Sequence, residues 1–187
     1  ANIESWVGER VRKGTIVNEL KKPASLKLQI YFYQIGRSAF KMMVRGVPAF
    51  IIGVIFLNVS IPGLSTGLLF IASLMLTLNL AIALSYMTAM LVFWTKVGWS
   101  LRMARTTLAG LFSGAMIPLY LIPENIRQVF YLTPFPSMVD GPISIYQGTA
   151  ENVLQVFGTQ IVWLIILLTA GELLWRKAKT KITVQGG

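Results

Sequence analysis

Long apolar runs free of charge, broken by short polar and turn-forming stretches, organise this 187-residue chain. A helix crossing a roughly 30 Å hydrocarbon core needs about 20 mostly apolar residues, and several runs reach or approach that length. Residues 46–94 carry no charge but are cut by Asn58-Val59-Ser60-Ile61-Pro62-Gly63-Leu64-Ser65, so they read as two helices joined by a tight loop. The first span is predicted over 40–61 and the second over 65–94. A third is placed at 99–118, with Arg102 and Arg105 at headgroup level and with Gly110, Gly114 and Pro118 interrupting it. The last is expected over 153–175, where Glu172 is flanked by Gly171, Leu173, Leu174 and Trp175. The pattern predicts an all-α membrane protein, a polytopic bundle with its transmembrane domain at 40–175.

The segments outside these runs are not ordinary loops. In residues 2–13, Ile3, Trp6, Val7 and Val11 recur at helical spacing and Gly14 is a natural stop, which predicts a short amphipathic helix. Gly14 to Pro23 reads as a polar connector, and the aromatic and apolar residues from Ser25 onward suit a membrane-surface helix that completes a region 1–39. Residues 118–148 contain five prolines yet are too apolar for a solvated loop. Helical pieces over 124–132 and 137–146, lying in or re-entering the leaflet, fit that composition. Residues 176–187 read as a polar tail.

Charge orients the bundle. Of the 17 Lys and Arg, only Arg127 falls on the side opposite to both termini and to the 95–105 loop, so these three are expected to be cytoplasmic. The net charge of +10 is then mainly a topology signal, and a nucleic-acid partner is not expected. The chain has neither Cys nor His, which excludes thiol nucleophiles, histidine-based triads and Cys/His zinc sites. Asp140, Glu124, Glu151 and Glu172 show no spacing of a paired carboxylate site, so a lipid- or peptide-processing enzyme is the weakest reading. No ionisable residue lies at mid-membrane depth, which argues against a proton-driven transporter.

Several shorter patterns have plain structural explanations. Ser73, Thr77, Ala81, Ser85 and Ala89 line up one small, polar face, with Asn79 beside it; close helix packing is the stronger reading and a substrate-facing surface the weaker one. Gly110 to Gly114 is a GxxxG match with the same packing explanation. The stretch from Gly8 to Thr15 only superficially resembles a nucleotide-binding loop: its final Gly and Lys are transposed and no apolar strand precedes it. Asn58-Val59-Ser60 is best read as a chance sequon in a tight outer loop. No signal peptide is visible ahead of these segments, so internal helices are expected to direct insertion.

Three stretches resemble the permease subunit of ABC-2 type transporters, in particular the bacterial six-helix branch. Gly14-Thr-Ile-Val-Asn-Glu-Leu-Lys-Lys-Pro23 is similar to a cytoplasmic "G…LLKP" segment, and Leu111-Phe-Ser-Gly-Ala-Met-Ile-Pro118 to an "FSGAxxP" helix end. Leu132-Thr-Pro-Phe-Pro136 with Pro142-Ile-Ser-Ile-Tyr-Gln-Gly148 resembles an "LPFxxxxxxPxxIYxG" outer segment. The resemblance implies a permease in a bacterial cytoplasmic membrane, working as an exporter beside an identical or related second permease. It implies that ATP and Mg bind to a separate nucleotide-binding ATPase subunit, and that this chain holds no cofactor. Residues 2–13 and the connector become the coupling element, with Trp6, Arg10, Arg12, Lys13 and Glu19 as ATPase contacts. Ser73, Thr77, Asn79 and Ser113 become substrate-pathway candidates, and 118–148 the outer re-entrant pair. Set against the family pattern, the sequence starts where a second helix would have ended, so two N-terminal helices are expected to be missing through truncation. The competing reading is a non-transporting membrane scaffold or assembly subunit, which would insert normally and show no nucleotide-linked change.

Overall fold

The computed structural model describes residues 3–185, with side chains through Thr180; Ala1, Asn2, Gly186 and Gly187, where the expected first helix and tail extend, lie outside the described residues. Every element among them is helical: α1 Ile3–Arg12, α2 Ile16–Leu20, α3 Leu26–Lys41, α4 Val47–Leu57, α5 Leu64–Thr95, α6 Gly98–Phe112, α7 Glu124–Tyr131, α8 Asp140–Gln147 and α9 Val153–Gln185. Among the described residues, three stretches are long and apolar enough to cross a membrane, namely Leu26–Leu57, Leu64–Thr95 and Val153–Thr180.

The helix that contains the first span begins well before residue 40. Ser25 caps α3, its hydroxyl accepting from the Leu28 N–H at 3.3 Å. From there the backbone stays helical through a π-turn at Met42–Gly46 into α4. The expected membrane-surface helix and the first span are thus one 32-residue stretch. Charged residues at 37, 41 and 45 masked this continuity, because a charge-free window cannot start until they are passed. The span ends at Leu57 rather than 61, where Asn58 adopts a left-handed φ of 50° and closes the helix onto Gly53. Val47, Phe50, Ile52, Ile55, Phe56 and Leu57 are all exposed, as side chains facing lipid rather than protein are.

The third expected span is also shorter. Residues 99–118 are helical only to Phe112, after which Ser113 turns its hydroxyl onto the Ala115 N–H and Gly114 takes φ +85°. Leu119, 2% exposed, folds back against Gly114, and Pro118 follows the break. Fifteen helical residues give about 22 Å, short of the full core. Phe112 at the helix end packs against Phe130 and Phe135, so α6 and the non-helical residues after it together carry the chain to the 118–148 segment. At the other end of the chain, α9 continues through the expected tail as helix to Gln185.

Two apolar clusters hold the helices together. One gathers Ile3 and Val7 of α1, Ile16 of α2, Leu26 and Ile30 of α3, Tyr86, Ala89, Met90, Val92 and Phe93 of α5, and Trp175 and Ala178 of α9. The other joins Leu80, Ala83 and Leu84 of α5 and Leu167 of α9 to Phe135 of the 118–148 segment. Where α5 and α9 cross, a Cβ on Gly171 would stand 2.7 Å from the Tyr86 ring, so glycine permits that approach. The 118–148 segment is built from α7, a 3-10 turn at Pro136–Met138 and α8, close to the two expected pieces. Tyr146 fastens α8 to the 58–63 loop by donating to the Ser60 carbonyl at 2.6 Å.

Candidate functional site

The five residues expected to contact an ATPase lie on α1, on α2 and at the turn between them. Gly14 takes φ +71°, a conformation that lets the chain reverse, and α2 folds back beside α1. Glu19, only 8% exposed, ties the hairpin: its carboxylate accepts from Lys22 Nζ at 2.6 Å and from Arg10 Nε at 3.1 Å. The Lys22 hydrogen bond, then the Arg10 bond and both charges, hold its carboxyl below the ordinary glutamate range against the cost of burial. The Arg10 guanidinium also lies over the Trp6 ring, 3.9 Å from its centroid. Gln29 of α3 closes the other side, donating to the carbonyls of Glu19 at 3.1 Å and Ala24 at 2.8 Å.

Trp6, Arg10 and Glu19 therefore form one bonded unit. Lys13 belongs to its edge, with Nζ 2.6 Å from Glu9 Oε1, and an open cleft of about 400 Å³ runs between Glu9, Arg10, Lys13 and Asn18. Arg12 stands exposed and apart from that cleft.

The inner face of α1 carries residues that the sequence reading missed. Glu4 is 1% exposed, and its Oε1 accepts from Arg105 Nε of α6 at 2.8 Å and from Thr88 Oγ1 of α5 at 3.2 Å. At the same crossing a Cβ on Gly8 would sit 3.0 Å from the Gly98 nitrogen, and one on Gly98 would overlap the Glu4 backbone. Backbone thus meets backbone where α1 crosses the start of α6. The signal was present: Glu4, Val7, Gly8 and Val11 follow helical spacing, so a carboxylate and a glycine belong to the buried face.

The pathway candidates are brought together only in part. Ser73, fully buried, and Thr77 meet Gln160 of α9, whose Nε2 lies 2.9 Å from Ser73 Oγ, 3.2 Å from Thr77 Oγ1 and 2.9 Å from the Ser137 carbonyl. Two amide protons serve these acceptors in a seam joining α5, α9 and the 118–148 segment. At Ser73 and Thr77 the stripe is packed against α9, whereas Ala81 and Ser85 line a cleft between α1, α3, α5 and α6. Asn79 lies elsewhere, accepting from the Tyr31 hydroxyl of α3 at 3.0 Å, and Ser113 is buried at the break after α6. Gln160 had no flag in the sequence, since one amide in an apolar helix has no periodic partner.

On the far segment, Tyr131 donates to Asp140 Oδ2 at 3.0 Å and links α7 to α8. Burial, then the Asp140 charge and hydrogen bond, push its hydroxyl up to about 12.

A helical bundle with a hairpin at one end and a capping segment at the other is an arrangement many membrane proteins could share. Family comparison decides: a model of ABC-2 family transporter proteins matches residues 1–186. The chain belongs to the ABC-2 transporter family. No curated protein and no solved structure matches it. As an ABC-2 protein it is a multi-pass membrane component of an ABC transport system, and that membership covers the hairpin, the spans and the outer segment together.

Proposed function

We propose that this ABC-2 chain is the permease subunit of an ATP-driven exporter in a bacterial cytoplasmic membrane. Its termini are cytoplasmic, and the α1–α2 hairpin receives the motion of a separate nucleotide-binding subunit. ATP and Mg belong to that partner; this chain performs no chemistry. The observation that carries the reading is the two-sided construction of α1. Its inner face is fixed to α5 and α6 by Glu4, Thr88, Arg105 and the Gly8–Gly98 crossing. Outside that face lie the half-buried Trp6–Arg10 stack beside α2 and, exposed, Arg12 and Lys13. A push on that outer side reaches the bundle through contacts too close to slip, and the bundle alternates between inward-open and outward-open states beside a second permease.

Within such a cycle the α5–α9 seam at Ser73, Thr77 and Gln160 is the place to open a pathway, because polar groups there exchange partners at low cost when helices part. Residues 118–148, anchored by Phe135 and Tyr146, close it on the outer side. A scaffold would need none of this outward charge on α1.

Co-purification from detergent tests the reading. The permease is expected to bring an ATPase subunit with it, and Arg12→Glu or Trp6→Ala is expected to release that subunit while leaving the permease monodisperse. A permease that purifies alone whatever stands at 6 and 12 would contradict the proposal and favour the scaffold.

A further inference from the structure

The crossing of α5 and α9 leaves one polar group unserved. Tyr86 of α5 is 3% exposed and packs in the apolar cluster with Leu26 and Ile30 of α3, Phe93 of α5 and Trp175 and Ala178 of α9. Its hydroxyl is buried there without a hydrogen-bond partner, a condition shared among the described residues only by Nε of Arg102. Elsewhere the bundle pairs what it buries, as at Glu4, Ser73, Thr88 and Gln160. Phenylalanine would fill the same space at less cost, since a buried hydroxyl with no partner forfeits its hydration and gains nothing in return.

An acceptor with spare capacity stands beside it on α9. Gly171 faces the Tyr86 ring: a Cβ there would lie 2.7 Å from Cδ1, 3.0 Å from Cε1 and 3.6 Å from the Met87 Cα. The next residue is Glu172, whose carboxylate lies 4.0 Å from Lys27 Nζ of α3 and 3.8 Å from Arg176 Nε, both beyond hydrogen-bond range. Its side chain keeps 37% exposure, so packing does not hold it in place. A donor with no acceptor and a carboxylate held by long ion pairs therefore sit on two helices that touch through a glycine.

We propose that Tyr86 and Glu172 are the two halves of a latch that closes in a second packing of α5 against α9. Successive residues stand about 100° apart round a helix, so a rotation of α9 by part of that angle, with the reach of the glutamate side chain, carries a carboxylate oxygen to the hydroxyl. The Tyr86 O–H then donates to Glu172, which gives up its long contacts to Lys27 and Arg176 in exchange. Gly171 lets the helices turn on each other, because it presents no side chain to be carried past the ring. Packed helices switch by small shear between two discrete arrangements, and a hydroxyl unserved in one and bonded in the other favours the second by one charge-assisted hydrogen bond. Gln160 precedes Gly171 by 11 residues on α9, roughly 16 Å, so the same rotation strains the Ser73–Thr77–Gln160 seam. The latch rests on the α5–α9 packing and not on an ATPase partner, and neither residue belongs to the hairpin, so it can fail while ATPase co-purification survives.

The test places the protein in phosphatidylcholine nanodiscs with spin labels at Leu69→Cys on α5 and Ile161→Cys on α9, two exposed positions. Two distance populations are expected, the minor one being the latched packing. Tyr86→Phe and Glu172→Ala each deplete the minor population about tenfold, the scale of one hydrogen bond to a charged group, and the double variant goes no further than either alone. Lys27→Gln releases Glu172 and enriches the minor population. Tyr86→Phe is also expected to raise the melting temperature by about 2–4 °C, because it removes an unserved hydroxyl from the dominant packing. That variant keeps the ring, so it carries the test even where Glu172→Ala does not fold. A lower melting temperature for Tyr86→Phe would overturn the proposal. So would a single population in both the unsubstituted protein and Lys27→Gln, or single-variant losses that add in the double variant.

Discussion

Glu4 concentrates the energetics of this molecule in one side chain. It is a buried carboxylate, and such a group is stable only while paired and hydrogen-bonded. Its partner Arg105 keeps 17% of its side chain exposed while Glu4 keeps 1%, so the two members of the pair are not equivalent. Arg105→Met leaves a charge in the interior and is expected to cost roughly 3 kcal/mol, whereas Glu4→Gln leaves a cation that can turn toward water and costs roughly 1 kcal/mol. The double variant is expected to recover most of the larger loss, measured as melting temperature in one detergent. Equal single losses that simply add would mean that the pair is not coupled. The carboxylate was legible in the sequence only as one more charge on an amphipathic stretch. Its partner lies 101 residues away, a separation that no local periodicity can report.

Among the elements, α1 and α6 carry the prediction. A Cβ on Gly98 overlaps Glu4 backbone, which cannot rotate aside as a side chain would, so Gly98→Ala is expected to push α1 off its seat at roughly 1–3 kcal/mol. Gly158→Ala, on α9 with open space around it, is expected to be neutral or slightly stabilising. Protease accessibility of the 1–25 segment reads the first effect directly, with faster cleavage for Gly98→Ala and no change for Gly158→Ala; unchanged cleavage in both would remove the tight crossing.

Elements with strong patterns were legible from sequence: residues 65–94 are α5 within one residue at each end, and the amphipathic α1 falls within 2–13. Boundaries failed where a local charge or a tertiary contact decided. Three cations hid the continuity of α3 with α4, and the Leu119–Gly114 contact, which no window of hydropathy contains, ended α6 early.

At the scale of the whole molecule, the account is that α1 moves with the α5–α6 elbow and that this motion opens the outer segment. The candidate site was legible as a hairpin of named residues, because Trp6, Arg10 and Glu19 come together. What fixes it to the bundle was not, since that depends on side chains from three helices meeting. The chain contains no cysteine, so spin labels can be placed without a background. The most direct measurement is a pair of label distances in the assembled transporter, with and without a non-hydrolysable ATP analogue. One pair joins Asn18→Cys to Ser100→Cys on the hairpin and α6; the other joins Asn125→Cys to Leu154→Cys on the outer side. The account predicts a constant first distance and a nucleotide-dependent second one. A hairpin that separates from α6, or an outer distance indifferent to nucleotide, would contradict it.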